Sequence, residues 1–161
     1  MKPIIAILMG SDSDAEALKP CGEVLREFGV PFVARVLSAH RTPNETVEFT
    51  QAAKKEGFRV LICAAGGAAH LAGVVAAHTE LPVIGIPVET TSFKGMDSLL
   101  STVQMPAGTP VATVAVGAGG VRNAAFLAIR ILALEDTKLE EALVAYKKKN
   151  IEKILKKTVI L

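Results

Sequence analysis

The sequence predicts an α/β fold, a three-layer, doubly wound sandwich around a parallel sheet, as one domain over residues 1–161. Three observations carry this expectation. Short, β-branched, apolar runs recur along the chain, each reading as a strand buried on both faces. Stretches with helical spacing separate them, so strand and helix alternate with the right-handed crossovers that parallel sheets require. At 161 residues, with 50% of them hydrophobic, the chain can bury one sizeable core.

The first run, Pro3 to Met9 (PIIAILM), ends at Gly10. Ser11-Asp12-Ser13-Asp14 follows, with serine three residues ahead of a carboxylate, a capping box that opens a helix over Ala17 to Phe28. A second strand over Phe32 to Leu37 leads into Ser38-Ala39-His40-Arg41. There Thr42-Pro43-Asn44-Glu45 forms a second capping box, with proline at the first helical position, ahead of a helix over Thr46 to Lys55. The third run, Arg59 to Ala64, meets a loop of small residues before a helix over His70 to His78, and Pro82 to Ile86 forms the fourth strand. Met96 to Pro106 (MDSLLSTVQMP) is too polar for a core helix and reads as a lid or an interface helix. After a fifth strand over Val111 to Val116, Ala124 to Leu134 is almost wholly small or apolar, as in a helix buried on several sides. A last helix, about 137–157, carries an apolar stripe of Leu139, Leu143, Tyr146, Ile151, Ile154 and Leu155, with Lys147, Lys148 and Lys149 on its wet side. The apolar tail Val159-Ile160-Leu161 then points to contact with another subunit.

Composition excludes several function classes. The formal charge is only +2, and seven lysines lie at Lys138 or later, so no broad basic face is expected and nucleic acid is not a predicted partner. Without tryptophan, and with Tyr146 as the one tyrosine, stacking platforms for single strands are missing too. No apolar run reaches roughly 18 residues, and the N-terminus has no basic stretch ahead of a long apolar one. A soluble, cytoplasmic protein with no membrane partner is expected. Cys21 and Cys63 are far apart in a helix and a strand, which reads as two reduced structural thiols. The histidines His40, His70 and His78 lack metal-motif spacing, so no metal site is expected.

In an open parallel sheet, ligands bind beyond the carboxyl ends of the strands. Most of the unusual polar residues outside the C-terminal helix fall at those ends. Ser11, Ser13, Ser38 and Arg41 suit a phosphate, since hydroxyls and helix-start N–H groups match its oxygens and a guanidinium takes two of them at once. Asp14 would repel a phosphate and suits sugar hydroxyls. Bland readings stand beside these: Ser11 and Asp14 as helix caps, Arg41 in a surface ion pair. His40 can give and take a proton near neutral pH from a loop facing the crevice, or it can be held for structure alone. His70 follows six small residues, as where backbone approaches a ligand or another subunit, and support for the next helix is the competing reading. Gly117-Ala118-Gly119-Gly120 lacks dinucleotide-binding spacing, and there is no phosphate-loop lysine motif or nucleophile elbow.

Together these residues form a pattern. Gly10-Ser11-x-Ser13-Asp14, Ser38-Ala39-His40-Arg41-Thr42-Pro43, Ala65-Gly66-Gly67-Ala68-Ala69-His70-Leu71, Asp97-Ser98-Leu99-Leu100-Ser101-x-Val103-Gln104-Met105-Pro106 and Pro110-Val111-Ala112-Thr113 closely resemble, in order and spacing, the 5-(carboxyamino)imidazole ribonucleotide mutases of purine biosynthesis. The likeness covers roughly residues 4 to 135. It implies a flavodoxin-like fold and a reaction that moves a carboxylate from the exocyclic nitrogen of the substrate to a ring carbon, with no metal, biotin or ATP.

The resemblance further implies that His40 carries the proton, and that Ser11, Asp14 and Arg41 bind substrate, with Ser13 and Ser38 on the phosphate. Ala65 and Gly66 would line a small pocket that keeps CO2 from water, and His70 belongs with the binding residues. A homo-octamer with sites at subunit junctions is expected, its C-terminal helix extending to a neighbouring subunit. Departures from the family pattern are Ala72 for a usual proline, Cys63-Ala64 for Ala-Gly, and Ala15 for an aromatic. The alternatives are the related carboxylase that uses free CO2, and a non-catalytic module that binds a phosphosugar or nucleotide.

Overall fold

Strand β1 (Ile5–Met9) is fully buried within the sheet in the computed structural model, which describes residues 2–159. It is paired in parallel on both edges, to β2 (Phe32–Val36) from Ile5 against Phe32 to Met9 against Val36, and to β3 (Val60–Gly66) from Ile5 against Val60 to Met9 against Ala64. With β4 (Val83–Val88) and β5 (Ala112–Thr113) the sheet runs β2-β1-β3-β4-β5, all parallel among the described residues. This is the flavodoxin-like order, and the strand sequence changes direction between β1 and β3.

Successive residues of the central strands serve two cores. Ile5, Ile7 and Met9, with Val60, Ile62 and Ala64, pack against α1 (Ala15–Glu27) and α5 (Ala118–Ala133) through Leu18, Val24, Leu25, Ala124, Ala128 and Ile129. Ala6, Leu8, Leu61 and Cys63 point the other way, toward Phe49 and Ala53 of α2 (Pro43–Glu56) and Leu71, Ala72 and Val75 of α3 (Leu71–Ala76). Because both faces are covered, the strands read as unbroken apolar runs. Each fully buried Ile or Leu contributes about 1.5–3 kcal/mol relative to exposure. Ala72 lies buried in α3, at the second position, which a proline would also tolerate. Cys21 and Cys63 are buried and free, as expected; desolvation pushes the Cys21 thiol up to about 12 and Cys63 higher still, so neither is a nucleophile near neutral pH.

The structure corrects the sequence reading in the C-terminal half. The fifth strand is two residues long, not six, although Val114 N–H still reaches the Gly85 carbonyl at 3.0 Å. Helix α4 (Met96–Val103) is partly a core helix: it packs on β4 and β5 with Ser98 and Thr102 buried, their hydroxyls donating to the Val88 carbonyl and, at 2.7 Å, to the Ser98 carbonyl. Satisfied this way, polar residues cost little in the interior. Thr102 fits only because residue 85 is glycine, since a β-carbon there would overlap Thr102 Cγ2. Helix α5 starts six residues earlier than the apolar pattern indicates, and it is buried along one face while Asn123, Arg130 and Leu134 are exposed. Its first turn uses Gly120, whose missing β-carbon lets the helix cross the Ala115 carbonyl.

Helix α6 (Thr137–Leu155) is capped by Asp136, whose side chain accepts from Lys138 and Leu139 N–H at 3.0 and 3.2 Å. Only the first part of its expected stripe packs. Leu139 and Leu143 touch the α1/α5 core, and the Tyr146 ring lies 5.6 Å from Phe28 and 4.9 Å from Phe126. Ile151, Ile154 and Leu155 are exposed, as is Val159. The rest of the expected apolar tail, Ile160 and Leu161, falls outside the described residues.

The close crossing at Gly120 yields a paired test. Gly120→Ala lowers unfolding free energy by several kcal/mol, about 3 or more, in chemical denaturation, because the added methyl meets backbone that cannot yield. Gly119→Ala, with nothing within 4 Å of its β-carbon, changes stability by less than about 1 kcal/mol in either direction.

Candidate active site

The carboxyl ends of β1, β2 and β3 converge on one cleft of about 330 Å³. Gly10, Ser11 and Asp14 come from the end of β1, Ser38 to Arg41 from the end of β2, and Ala65, Gly66 and Ala68 from the end of β3, with Leu71 at the start of α3. This is the switch point of the sheet, where no helix covers the strand ends and helix N-termini point inward. Larger clefts lie at the amino ends of β4 and β5, about 680 Å³, and between α5 and α6, about 820 Å³. Neither sets a histidine beside a guanidinium, so chemistry rather than size marks the site.

The first loop is a short 3-10 turn, Asp12–Asp14, with Ser11 as its cap: the Ser11 hydroxyl accepts from Ser13 N–H at 3.3 Å, and the Ser13 hydroxyl lies 2.8 Å from it. Ser11 therefore does cap a helical turn while also lining the cleft. Ser13, expected on the phosphate, is turned to Ser11 and is not among the cleft-lining residues. Asp14 is half-buried, and desolvation raises its carboxyl above the usual range, against the Ser11 backbone N–H and the Arg41 guanidinium, which lower it. Its side chain makes no cap bond to α1, so its carboxylate stays free for a ligand.

The second loop departs from the expected capping box. Thr42 makes no side-chain cap to α2; its hydroxyl accepts from Ser38 N–H at 2.8 Å and lies 3.2 Å from the Ser38 carbonyl. The Ser38 hydroxyl, in a residue only 8% exposed, accepts from Arg41 N–H at 3.2 Å and faces Arg41 Nε at 3.5 Å. Arg41 Nη2 donates to the Gly10 carbonyl. Arg41 thus bridges the ends of β1 and β2 and takes part in neither ion pair found among the described residues, Lys19–Glu16 and Arg59–Glu135.

His40 is exposed on the cleft, and its Nε2 lies 2.9 Å from His70 Nδ1, with the rings edge to face at 5.0 Å. At that separation one of the two nitrogens holds a proton and the other accepts it. His70 sits at the cap position of α3 without making a cap bond, so the reading of it as helix support gives way to a partner for His40. Ala65 and Gly66 line the cleft, but a β-carbon on Gly66 would first press on Thr90 Cγ2, at 3.3 Å, rather than fill the cleft. Sequence reasoning missed Gly10, whose carbonyl anchors Arg41, and Thr42; the lone signal for the first was a glycine ending a buried strand.

Strand order, switch-point cleft, paired histidines and guanidinium define a flavodoxin-like α/β protein with a small polar cleft at the switch point of its sheet. The sequence pattern of the AIR carboxylase family matches residues 4–153, and the chain belongs to that family. It is 51% identical over 150 residues to an N5-carboxyaminoimidazole ribonucleotide mutase of Brucella melitensis, covering 93% of each chain. It is 49% identical to part of a bifunctional purine synthesis protein purC/E of Dictyostelium discoideum, covering 95% of this chain and 15% of that much longer one. The crystal structure of Treponema denticola PurE superposes with a TM-score of 0.84 at 31% identity, over 95% of this chain and 94% of that one.

Buried acids make a pH signature. The raised Asp14 carboxyl binds its proton more tightly in the folded than in the unfolded chain, so its contribution to stability is complete below the ordinary value of 3.8 and is lost as pH rises through the raised value. Asp14→Asn therefore raises Tm relative to the parent at pH 7 and leaves it unchanged or lower near pH 3.5. Thermal melts at the two pH values read the difference.

Proposed function

We propose that the chain converts 5-(carboxyamino)imidazole ribonucleotide to 5-amino-1-(5-phospho-ribosyl)imidazole-4-carboxylate, as an isomerase of purine biosynthesis. The observation that carries the reading is His40 on a cleft beside Ala65 and Gly66, with Arg41 on the same loop, in a chain half identical to proteins named for that reaction.

Each residue then has a task. Arg41, with Ser11 and Ser38 beside it, meets the phosphate, and Asp14 accepts from ribose hydroxyls. Ser13, which faces Ser11, supports the turn that presents Ser11. The N–CO2 bond breaks, the electron pair passes into the aminoimidazole, and His40 delivers a proton to the exocyclic nitrogen. The ring carbon then attacks the CO2, forming the C–C bond, and its hydrogen leaves as a proton to His40. The atoms balance, and His40 ends as it began, which suits an isomerisation. His70 at 2.9 Å gives His40 a partner that orients its ring and takes or lends a proton between steps. Ala65 keeps the wall of the cleft small where CO2 waits, and Gly66 beside it leaves room for Thr90 behind that wall.

The same reading includes a homo-octamer. Exposed apolar residues support subunit contact: Phe93, Met96, Leu100 and Val103 on and beside α4, and Ile151, Ile154 and Leu155 on α6, where the α5/α6 cleft of about 820 Å³ is partly apolar. A cytoplasmic location fits a chain in which no described helix is long and apolar enough to cross a membrane. The name of the family, AIR carboxylase, favours a second reading, carboxylation with free CO2.

Incubation of the purified protein with the carboxyamino substrate in bicarbonate-free buffer, followed by ring-carboxylated product, separates the two. Conversion is expected; product formed only from aminoimidazole ribonucleotide plus bicarbonate would establish the carboxylase instead. In the same assay His40→Asn keeps substrate affinity within a few-fold and loses turnover by about 10²–10⁴-fold, the usual worth of a general acid–base group. Light scattering is expected to give eight times the 16.9 kDa chain mass, and a monomer there would remove the octamer.

A further inference from the structure

The loop that carries His40 and Arg41 is tied shut at its base by a side chain that the sequence places in a different role. Thr42 has the residue pattern of a helix cap, yet its hydroxyl turns back four residues to the main chain of Ser38, taking the Ser38 N–H at 2.8 Å and lying 3.2 Å from the Ser38 carbonyl. That carbonyl is also met by Thr42 N–H at 2.9 Å and by the Thr46 hydroxyl at 3.4 Å, whereas the hydroxyl of Thr42 is the one acceptor found for the Ser38 N–H among the described residues. Ser38 is buried and in turn holds the Arg41 backbone and Nε through its own hydroxyl. Between the two ends of this clasp only Ala39, His40 and Arg41 remain, and two of those three are the groups that reach His70 and the Gly10 carbonyl.

We infer that Thr42 is a positioning residue for the reaction: its hydroxyl clasps the Ser38 main chain and thereby sets the placement of His40 against His70 and of Arg41 across the end of β1. The inference rests on the function proposed above. Its physical basis is short reach. Three residues between two fixed ends have few alternative paths, so releasing one end frees both functional side chains together. A buried N–H without its acceptor also drives the turn to rearrange toward water. Threonine suits this better than serine because its branched β-carbon restricts χ1, holding the hydroxyl toward Ser38. Thr46, one turn further on, donates to the Thr42 carbonyl at 2.8 Å inside α2 and contacts the loop only weakly, which makes it the internal comparison.

The test measures Thr42→Val, Thr42→Ser and Thr46→Val beside the parent, reading kcat and KM for the carboxyamino substrate, ribose 5-phosphate binding by titration calorimetry, and Tm. Thr42→Val is expected to lower kcat by about tenfold to 100-fold, the range for a misplaced reacting group, and to raise KM and weaken ribose 5-phosphate together. Thr42→Ser restores both to within a few-fold of the parent, and Thr46→Val lowers Tm without moving either constant. A merely structural Thr42 predicts the opposite pattern: lower Tm in Thr42→Val with kcat and KM unchanged below the melt, and that result overturns the inference while the proposed function stands. Should Thr42→Val not fold, Thr42→Ala carries the same reading with the same two outcomes. A parent chain that neither binds ribose 5-phosphate nor turns over overturns the proposed function, and the inference with it.

Discussion

Two-sided burial of β1 is the constraint on which the rest of the molecule depends. With Ile5, Ile7 and Met9 in one core and Ala6 and Leu8 in the other, and with β2 and β3 paired to its edges, the strand has no freedom of register or tilt. A slip by one residue would turn each side chain into the wrong layer. Its end is therefore a fixed point in space, and Gly10 is the first residue past it. Arg41 reaches the Gly10 carbonyl from the neighbouring strand end, so the two loops that carry polar chemistry are joined across a rigid support. A site held on strand ends keeps its geometry better than one on free loops.

The cleft divides its work between a rigid floor and exposed tips. Ser38, nearly buried, and Thr42, half-buried, make bonds to main chain, while His40 and Arg41 stand exposed above them. Asp14 completes the electrostatics from the other side: burial disfavours its charge, and Arg41 restores part of it. A carboxyl and a guanidinium that moderate each other can face a sugar phosphate, whose hydroxyls and phosphate ask for opposite partners. The chain's small formal charge is consistent with this arrangement, since recognition needs one placed cation and no broad basic surface.

Glycine and alanine have separate tasks that the sequence pattern alone would merge. Gly85 and Gly120 make room for packing, against Thr102 and the Ala115 carbonyl, and neither lines the cleft. Gly66 lies at the cleft, yet a β-carbon on it would meet Thr90, so a side chain there would disturb the loop after β4 before it filled the cleft. Small residues close to a site are thus not all there for the ligand, and only the direction of the missing β-carbon tells which are.

Three buried strands, β1, β3 and β4, the alternation of helix and strand, and the loops that hold Ser11, Asp14, His40, Arg41, Ala65 and Gly66 were legible in the sequence by itself, because two-sided burial writes continuous apolar runs and strand ends concentrate the polar exceptions; β2 was legible as a strand but lies partly exposed at the sheet edge. Local pattern failed where the partner of a side chain lies beyond its own helix. Thr42 has a capping-box sequence and bonds to Ser38 instead; Ser98 looks too polar for a core and donates to the Val88 carbonyl of β4; the last strand is cut to two residues. The pairing of His40 with His70, thirty residues apart, arises only from the parallel pairing chain of β2, β1 and β3. Composition and periodicity determine which residues are buried and which loops are polar, since those depend on each residue's own solvation. Which two polar groups meet is decided by the register of the sheet, a property of no single segment.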